Sequence, residues 1–342
     1  MSVTIYNIAE RCHCSTTTVS KVLNGKGKIS EKKKKEIMEA AKDLGYIPSK
    51  SAISLASTSK ASKLIGVILH ISEDKSFTHE AFSKVLNSFR IKMESNDYDI
   101  CFLRNLSNDD EIDYLTLIKA RGLDGVFMLS ADIHDEKVKK LTHDDIPYVT
   151  FDMLNTKYYV SSNNQEVVAD LVDYLVSLGH RRICFVHPHN YEIAQERYLG
   201  FLKGLKRNNI PLEDGMIIYA PYYCHDSAKI TVEKVLESNY HPTVIMFQDD
   251  YTAIDAIPIL RSHNLKVPND ISITGFDGIS ITRSIRPSLT TIKQDCEKIG
   301  LEAAELLLKQ IKKEKIDVPH VIVDAQIEKC NSVLDLKNKG DQ

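Results

Sequence analysis

The chain has no tryptophan, few cysteines, and no apolar run that approaches the ~18 residues of a membrane span. Each shortage closes a class of protein. Seven cysteines, an odd number scattered from Cys12 to Cys330 over 342 residues, do not make the disulfide framework of a small secreted domain, so they read as reduced, mostly packing residues. The opening MSVTIYNIAE carries neither the basic nor the apolar stretch of a signal peptide, and a cytoplasmic protein is expected. Catalytic signatures are missing too. There is no G-x-S-x-G, no G-x-x-x-x-G-K-[ST] and no H-E-x-x-H, and Gly25-Lys26-Gly27-Lys28 lacks the spacing that cradles a phosphate. The twelve histidines give no i, i+4 ligand pair on an expected helix, so neither enzyme activity nor a metal or cofactor is expected.

What is present divides the chain. A length of 342 residues with mean hydropathy of −0.23 calls for two or three globular units. The net charge of −3 hides a basic head of +7 over residues 1–63 on a body of −10. That asymmetry points to a polyanion as partner of the head alone. Three short helices fit the head: Thr4 can cap one containing Ile5, Ile8 and Ala9, Ser15 can cap a second over Thr16–Leu23, and Ser30 a third over Glu31–Leu44 ending at Gly45. In the second helix Val19, Val22 and Leu23 face inward, which leaves Thr16, Thr17, Ser20 and Lys21 outside. Two helices joined by a short turn, with hydroxyls and a cation on the second, have the layout of a helix-turn-helix reading the major groove. Cys12-His13-Cys14 has C-x-C spacing, not the C-x₂-C of a zinc ribbon, and turn packing is expected. Lys32–Lys35 reads as a solvated helix face, with a phosphate contribution from one or two of the four.

The stretch from Thr4 to Pro48, above all TVSKVLN at 18–24 and LGYIP at 44–48, resembles the head of the LacI/GalR family of bacterial transcription regulators, and the similarity runs through nearly the whole chain. Cys12-His13-Cys14 replaces the family's usual Ala-Gly-Val, and Lys21 its usual Arg. The resemblance implies a DNA-contacting set of Thr4, Ser15, Thr16, Thr17, Ser20, Lys21, Asn24, Tyr46, Ala52 and Leu55. Residues 49–62, SKSAISLASTSKAS, are too polar and small to order alone. In the family this segment becomes a hinge helix on DNA, with a leucine at the position of Leu55 driven into a minor-groove step. Ile53 and Ser49 stand where the family has Arg and Asn.

After Lys63 near-continuous apolar runs alternate with helical segments: 64–69, 99–103, 125–129 and 148–151, then 182–186, 243–247 and 272–276. This is the pattern of buried parallel strands. The expected class is α/β: a three-helix head followed by a core of two lobes, each a doubly wound parallel sheet. Ligands of open α/β sheets sit beyond the carboxyl ends of the strands. The residues there are His70, Asp152, Asp249 with Asp250, and Asp277, with Arg197 on the helix after the fifth run. Carboxylates with one guanidinium suit paired hydroxyls, as on a sugar. The resemblance implies a periplasmic-sugar-binding-like core whose effector site holds Asp152, Arg197, Asp249 and Asp277. Asp249 stands where the family usually has Asn, and with no tryptophan to stack on a sugar face, Tyr222 or Tyr223 is the candidate.

The expected domains are a DNA-binding head at 1–48, a hinge at 49–62, a core at 63–330 and a tail at 331–342 without leucine heptads. The core's first lobe is placed at about 63–160 and 291–322, and its second at about 161–290 and 323–330. Together these readings describe a dimeric repressor that binds a pseudo-palindromic operator and is controlled by a sugar-like effector. The alternative is a cytoplasmic small-molecule-binding protein, or an activator with a different co-effector. A free-standing binding protein would leave residues 1–62 without a role.

Overall fold

The computed structural model describes residues 3–23, 27–46, 62–69, 78–104, 106, 112–131, 134–188, 192–222 and 226–338. Asn24, Ser49, Ala52, Ile53, Leu55, His70 and Tyr223 lie outside these. The chain forms two compact units, divided at Leu64.

In the first unit the three expected helices are α1 (Ile5–Arg11), α2 (Thr16–Leu23) and α3 (Glu31–Asp43). Asn7 Oδ1 accepts from the backbone N–H and the hydroxyl of Thr4, both at 2.9 Å, which satisfies the start of α1. Ser15 Oγ accepts from Thr18 N at 3.1 Å, the N-cap contact expected of it. Ile8, Ala9, Cys12, Val19, Val22, Ile37, Ala40 and Ala41 form one small core. Cys12 is thus a packing residue, and the turn after it closes through Cys14 N to Ala9 O at 3.0 Å, with His13 in the left-handed region (φ 44).

The second unit holds two six-stranded sheets. The first has the order β11-β5-β4-β3-β1-β2, from β1 (Leu64–Leu69), β2 (Asp99–Phe102), β3 (Gly125–Ser130), β4 (Tyr148–Phe151), β5 (Tyr159–Ser162) and β11 (His320–Val323). The second has the order β12-β10-β9-β8-β6-β7, from β6 (Ile183–His187), β7 (Ile217–Tyr219), β8 (Val244–Met246), β9 (Ser272–Asp277), β10 (Thr290–Lys293) and β12 (Gln326–Glu328). The second sheet is not wholly parallel, because β12 returns antiparallel to β10.

Helices close in on each sheet where glycine allows it. A Cβ on Gly300 would stand 2.2 Å from Val85 O, so the helices Glu80–Glu94 and Cys296–Ile311 touch backbone to backbone over the first lobe. Gly200 does the same for Glu192–Arg207 against Asn164–Ser177 on the second, where a Cβ would lie 2.5 Å from Gln165 O. Apolar strand residues fill the layer beneath, with Phe89 stacked on Phe127 at 4.3 Å in the first lobe.

The lobe boundaries differ from expectation at both lobe changes near 161 and 291. All of β5 belongs to the first sheet, so the chain crosses after Ser162, and β10 pairs with β9 and β12 in the second, so the return crossing lies at 294–295. The third crossing lies between Val323 and Gln326. Residues 331–338 pack onto the second lobe. Ser332, fully buried, accepts from Thr290 N at 2.9 Å and donates to Ile273 O at 2.6 Å, and Leu336 N reaches Leu178 O at 2.9 Å.

Candidate functional site

On the head, α2 presents the surface its spacing implied. Thr17 and Lys21 are exposed, Thr16 and Ser20 half-buried, and Val19 and Val22 hold the helix to the core. Thr4 and Ser15 are exposed at the helix starts, whereas Tyr46 is half-buried against the head core. Of the Lys32–Lys35 run, Lys33 Nζ donates to Cys12 O at 2.6 Å and Glu36 Oε1 at 2.9 Å, and Lys34 pairs with Glu31 at 2.6 Å. Lys32 and Lys35 remain exposed.

The core site is built by strand ends of both lobes. Asp152 follows β4 in the left-handed region (φ 57), Asp277 ends β9 at φ 113, and Asp249 follows β8 and Gln248. Helix Glu192–Arg207 delivers Arg197 between them. These residues, with His79, Phe82, Phe151, Met153, Tyr222, Gln248 and Gln294, line a cavity of about 100 Å³.

Arg197 is only 7% exposed and is held from several sides. Its Nε donates to Asn164 Oδ1 at 2.9 Å, its Nη1 to Tyr222 Oη and to Gln248 O at 3.1 Å each, and its guanidinium lies 3.4 Å over the Phe276 ring. Such a fixed fork is a preorganised donor. The carboxylates are equally fixed. Ser161 Oγ donates to Asp152 Oδ1 at 2.6 Å, and Gln294 Nε2 to Asp277 Oδ1 at 2.8 Å. Asp249 caps the helix Asp250–Ser262, accepting from Thr252 N at 2.7 Å and Thr252 Oγ1 at 2.8 Å. Burial pushes the carboxyls of Asp152 and Asp277 up to about 6 against the opposing pull of Arg197. Asp249 is raised by burial as well, and burial also drives the Tyr222 hydroxyl up.

Of the sequence-derived set, Asp152, Arg197, Tyr222, Asp249 and Asp277 come together here, while His70 lies outside the described residues. Asp250 turns away into the second lobe. It accepts from Thr291 Oγ1 and from Ile279 N at 2.9 Å, and burial raises its pKa well above the ordinary carboxylate value. Four residues were missed: His79, Asn164, Gln248 and Gln294. Gln294 and Gln248 each directly follow a strand or its last apolar residue, so reading TTIK at 290–293 as a strand would have exposed Gln294. His79 Nε2 stands 3.6 Å from Asp277 Oδ2, before the helix Glu80–Glu94, and nothing in its local sequence marks it.

Side chains tie this cavity to the crossing segments. Asn164 Nδ2 donates to Ser161 Oγ at 3.2 Å, so Arg197, Asn164, Ser161 and Asp152 form one chain of hydrogen bonds across the first crossing. Ser162 Oγ donates to Gln294 Oε1 at 2.6 Å, which joins the first crossing to the second and to Asp277. Ala325 N donates to Asn163 Oδ1 at 2.8 Å, bringing in the third. The lobes are also clasped at their rims, where Glu80 accepts from Ser280 N at 2.9 Å and Asn155 donates to Glu192.

Two family patterns match the chain: bacterial regulatory proteins, lacI family, over residues 4–49, and the periplasmic binding protein-like domain over residues 172–330. Catabolite control protein A of Priestia megaterium is 29% identical, covering 96% of this chain and 98% of that protein. The HTH-type transcriptional repressor PurR of Vibrio parahaemolyticus is 28% identical over 96% and 99% respectively. The probable HTH-type transcriptional repressor ExuR of Bacillus subtilis is 28% identical over 97% and 98%. Among solved structures, the Lac repressor dimer bound to operator and the anti-inducer ONPF superposes with a TM-score of 0.81 at 23% identity, over 98% of this chain and all of that one. A transcriptional regulator CelR–cellobiose complex gives 0.73 at 20%, over 96% and 99%. With a lacI-type head, a periplasmic-binding-protein-like core in two lobes and end-to-end similarity to repressors of this build, the chain belongs to the LacI family of bacterial regulatory proteins.

Proposed function

We propose that this chain is a transcriptional repressor whose affinity for an operator is set by a small polyhydroxylated effector, sugar or sugar-derived, bound between the two lobes. The observation that carries the reading is Arg197, a buried guanidinium held by Asn164, Tyr222 and Gln248 O in an interlobe cavity that Asp152 and Asp277 also line. That arrangement has no role in a plain scaffold. It matches the chemistry of vicinal hydroxyls, each able to donate to a carboxylate and accept from the fork. One α2 surface reads only a few base pairs, so two heads on a two-fold axis and a pseudo-palindromic operator supply specificity. Thr16, Thr17, Ser20 and Lys21 form the base-reading surface of this proposal, and Thr4 and Ser15 belong to the same DNA-contacting set.

The effector touches Asp152 from the first lobe and Arg197, Asp249 and Asp277 from the second. It therefore favours one lobe arrangement, and the DNA-binding equilibrium shifts by its differential affinity for the two states. The test is an operator selected from random duplexes, titrated by fluorescence anisotropy with and without sugars that raise the melting temperature. Release or tightening of the operator by such a sugar supports the reading. A sugar that stabilises the protein yet leaves operator affinity unchanged refutes it.

A further inference from the structure

The polar groups around the cavity are unequally divided between acceptors and donors. Three carboxylates, Asp152, Asp249 and Asp277, line it, against one guanidinium. Each carboxylate oxygen pair offers about four lone-pair positions. Among the described residues Asp152 and Asp277 each accept one side-chain hydrogen bond, from Ser161 and Gln294, with His79 a further 3.6 Å from Asp277, and Asp249 accepts two from Thr252, so acceptor capacity is left over. Gln248 adds to it. Its side chain is 3% exposed, its Nε2 is turned to Ser227 Oγ at 3.1 Å, and its Oε1 is buried with no hydrogen-bond partner among the described residues. On the donor side, Arg197 Nε and Nη1 already serve Asn164, Tyr222 and the Gln248 carbonyl. At the start of helix Asp250–Ser262 the Thr252 amide is already capped by Asp249.

We infer that the effector is rich in hydrogen-bond donors and carries no negative charge, so that neutral polyols and amino sugars are taken while sugar phosphates and sugar acids are rejected. This rests on the cleft being the effector site. An added anion would meet three buried carboxylates, against one guanidinium and the His79 imidazole, which already faces Asp277 Oδ2 at 3.6 Å. Burial raises the carboxyls of Asp152 and Asp277, the direction expected where a further negative charge would be poorly solvated.

The test uses the full chain and two sets of probes. In the first, neutral sugars (glucose, galactose, ribose, cellobiose) and glucosamine are compared with glucose 6-phosphate and galacturonate by calorimetry. The expected result is that the phosphate or acid binds at least tenfold more weakly than its parent sugar, and equal or tighter binding of the anion overturns the inference. The second set needs no knowledge of the natural effector. Inorganic phosphate leaves the melting temperature of the parent protein unchanged and raises that of Asp152→Asn/Asp277→Asn, in which two charges beside Arg197 are neutralised isosterically. Phosphate stabilising the parent as much as the variant overturns the inference, as does phosphate stabilising neither. The cleft assignment is checked separately. A sugar that binds Arg197→Ala as well as the parent lies elsewhere, and it is then the proposed function that fails.

Discussion

Replacing Arg197 by alanine removes three hydrogen bonds from a charged donor and the guanidinium stacked on Phe276. Asn164 Oδ1 and Gln248 O are left buried without that partner. Breaking a buried charged constellation by removing one member costs about 3–5 kcal/mol. Part of this is recovered, because Asp152 and Asp277, already at about 6, take up protons once the guanidinium is gone. The expected net loss is about 3 kcal/mol, a drop in melting temperature of roughly 6–12 °C for a unit of this size. Urea unfolding at pH 7 measures the first quantity and calorimetric scanning the second. Operator binding, carried by the other unit, persists below the lowered melting temperature, while the response to effector disappears. Arg197→Lys keeps the charge but not the fork, so it should fold with a loss under about 2 kcal/mol and still bind effector at least tenfold more weakly. A loss under about 1 kcal/mol in Arg197→Ala together with an intact effector response would refute the reasoning.

Three further outcomes follow from other sites. Lys21→Ala weakens binding to the selected operator much more than to random duplex in competition anisotropy, and equal losses on both would remove it from the base-reading set. Ser332→Ala leaves Thr290 N and Ile273 O unpaired in the core and lowers stability by about 2–3 kcal/mol in urea melts, whereas a neutral change would mean that the C-terminal stretch is merely laid on the surface. Asp277 has a folded pKa of about 6 against about 3.9 when unfolded, so the folded state holds more protons between those values. Its contribution to stability is full below pH ~4 and is lost as pH rises through 6, which amounts to about 1 kcal/mol between pH 5 and 7. Asp277→Asn should remove that part of the slope and leave the similar contribution of Asp152, while on the proposed site effector binding should run the opposite way and weaken below pH 6.

The head was legible because every signal in it is local. Thr4, Ser15 and Gly45 punctuate three helices, and the helical spacing of Val19 and Val22 decides which side of α2 faces out. The apolar strands were legible for a similar reason, since runs such as LIGVIL at 64–69 have no other use than a sheet buried on both faces. β5 and β10 were hidden. YVSS and TTIK are polar by composition, yet Val160, Ser161, Ser162, Thr290 and Thr291 are buried, because these strands lead into the crossings and their hydroxyls bond to neighbouring segments. Missing β10 also misplaced the return crossing and concealed Gln294. β11 and β12 are short strands at sheet edges whose partners lie about 160 and 35 residues away in sequence, so their pairing is a long-range fact that no local pattern carries.

The three carboxylates of the cleft are not equivalent to anyone who would retune this sensor. Among the described residues the Asp249 side chain is bonded within its own helix turn, to Thr252, and to neither crossing segment. Asp277 is one bond from Gln294 and two from Ser162, which lie in the segments where the chain crosses between the lobes. On the proposed site, an exchange at Asp249 is therefore expected to act on recognition alone, and one at Asp277 on recognition and on the crossing contacts together.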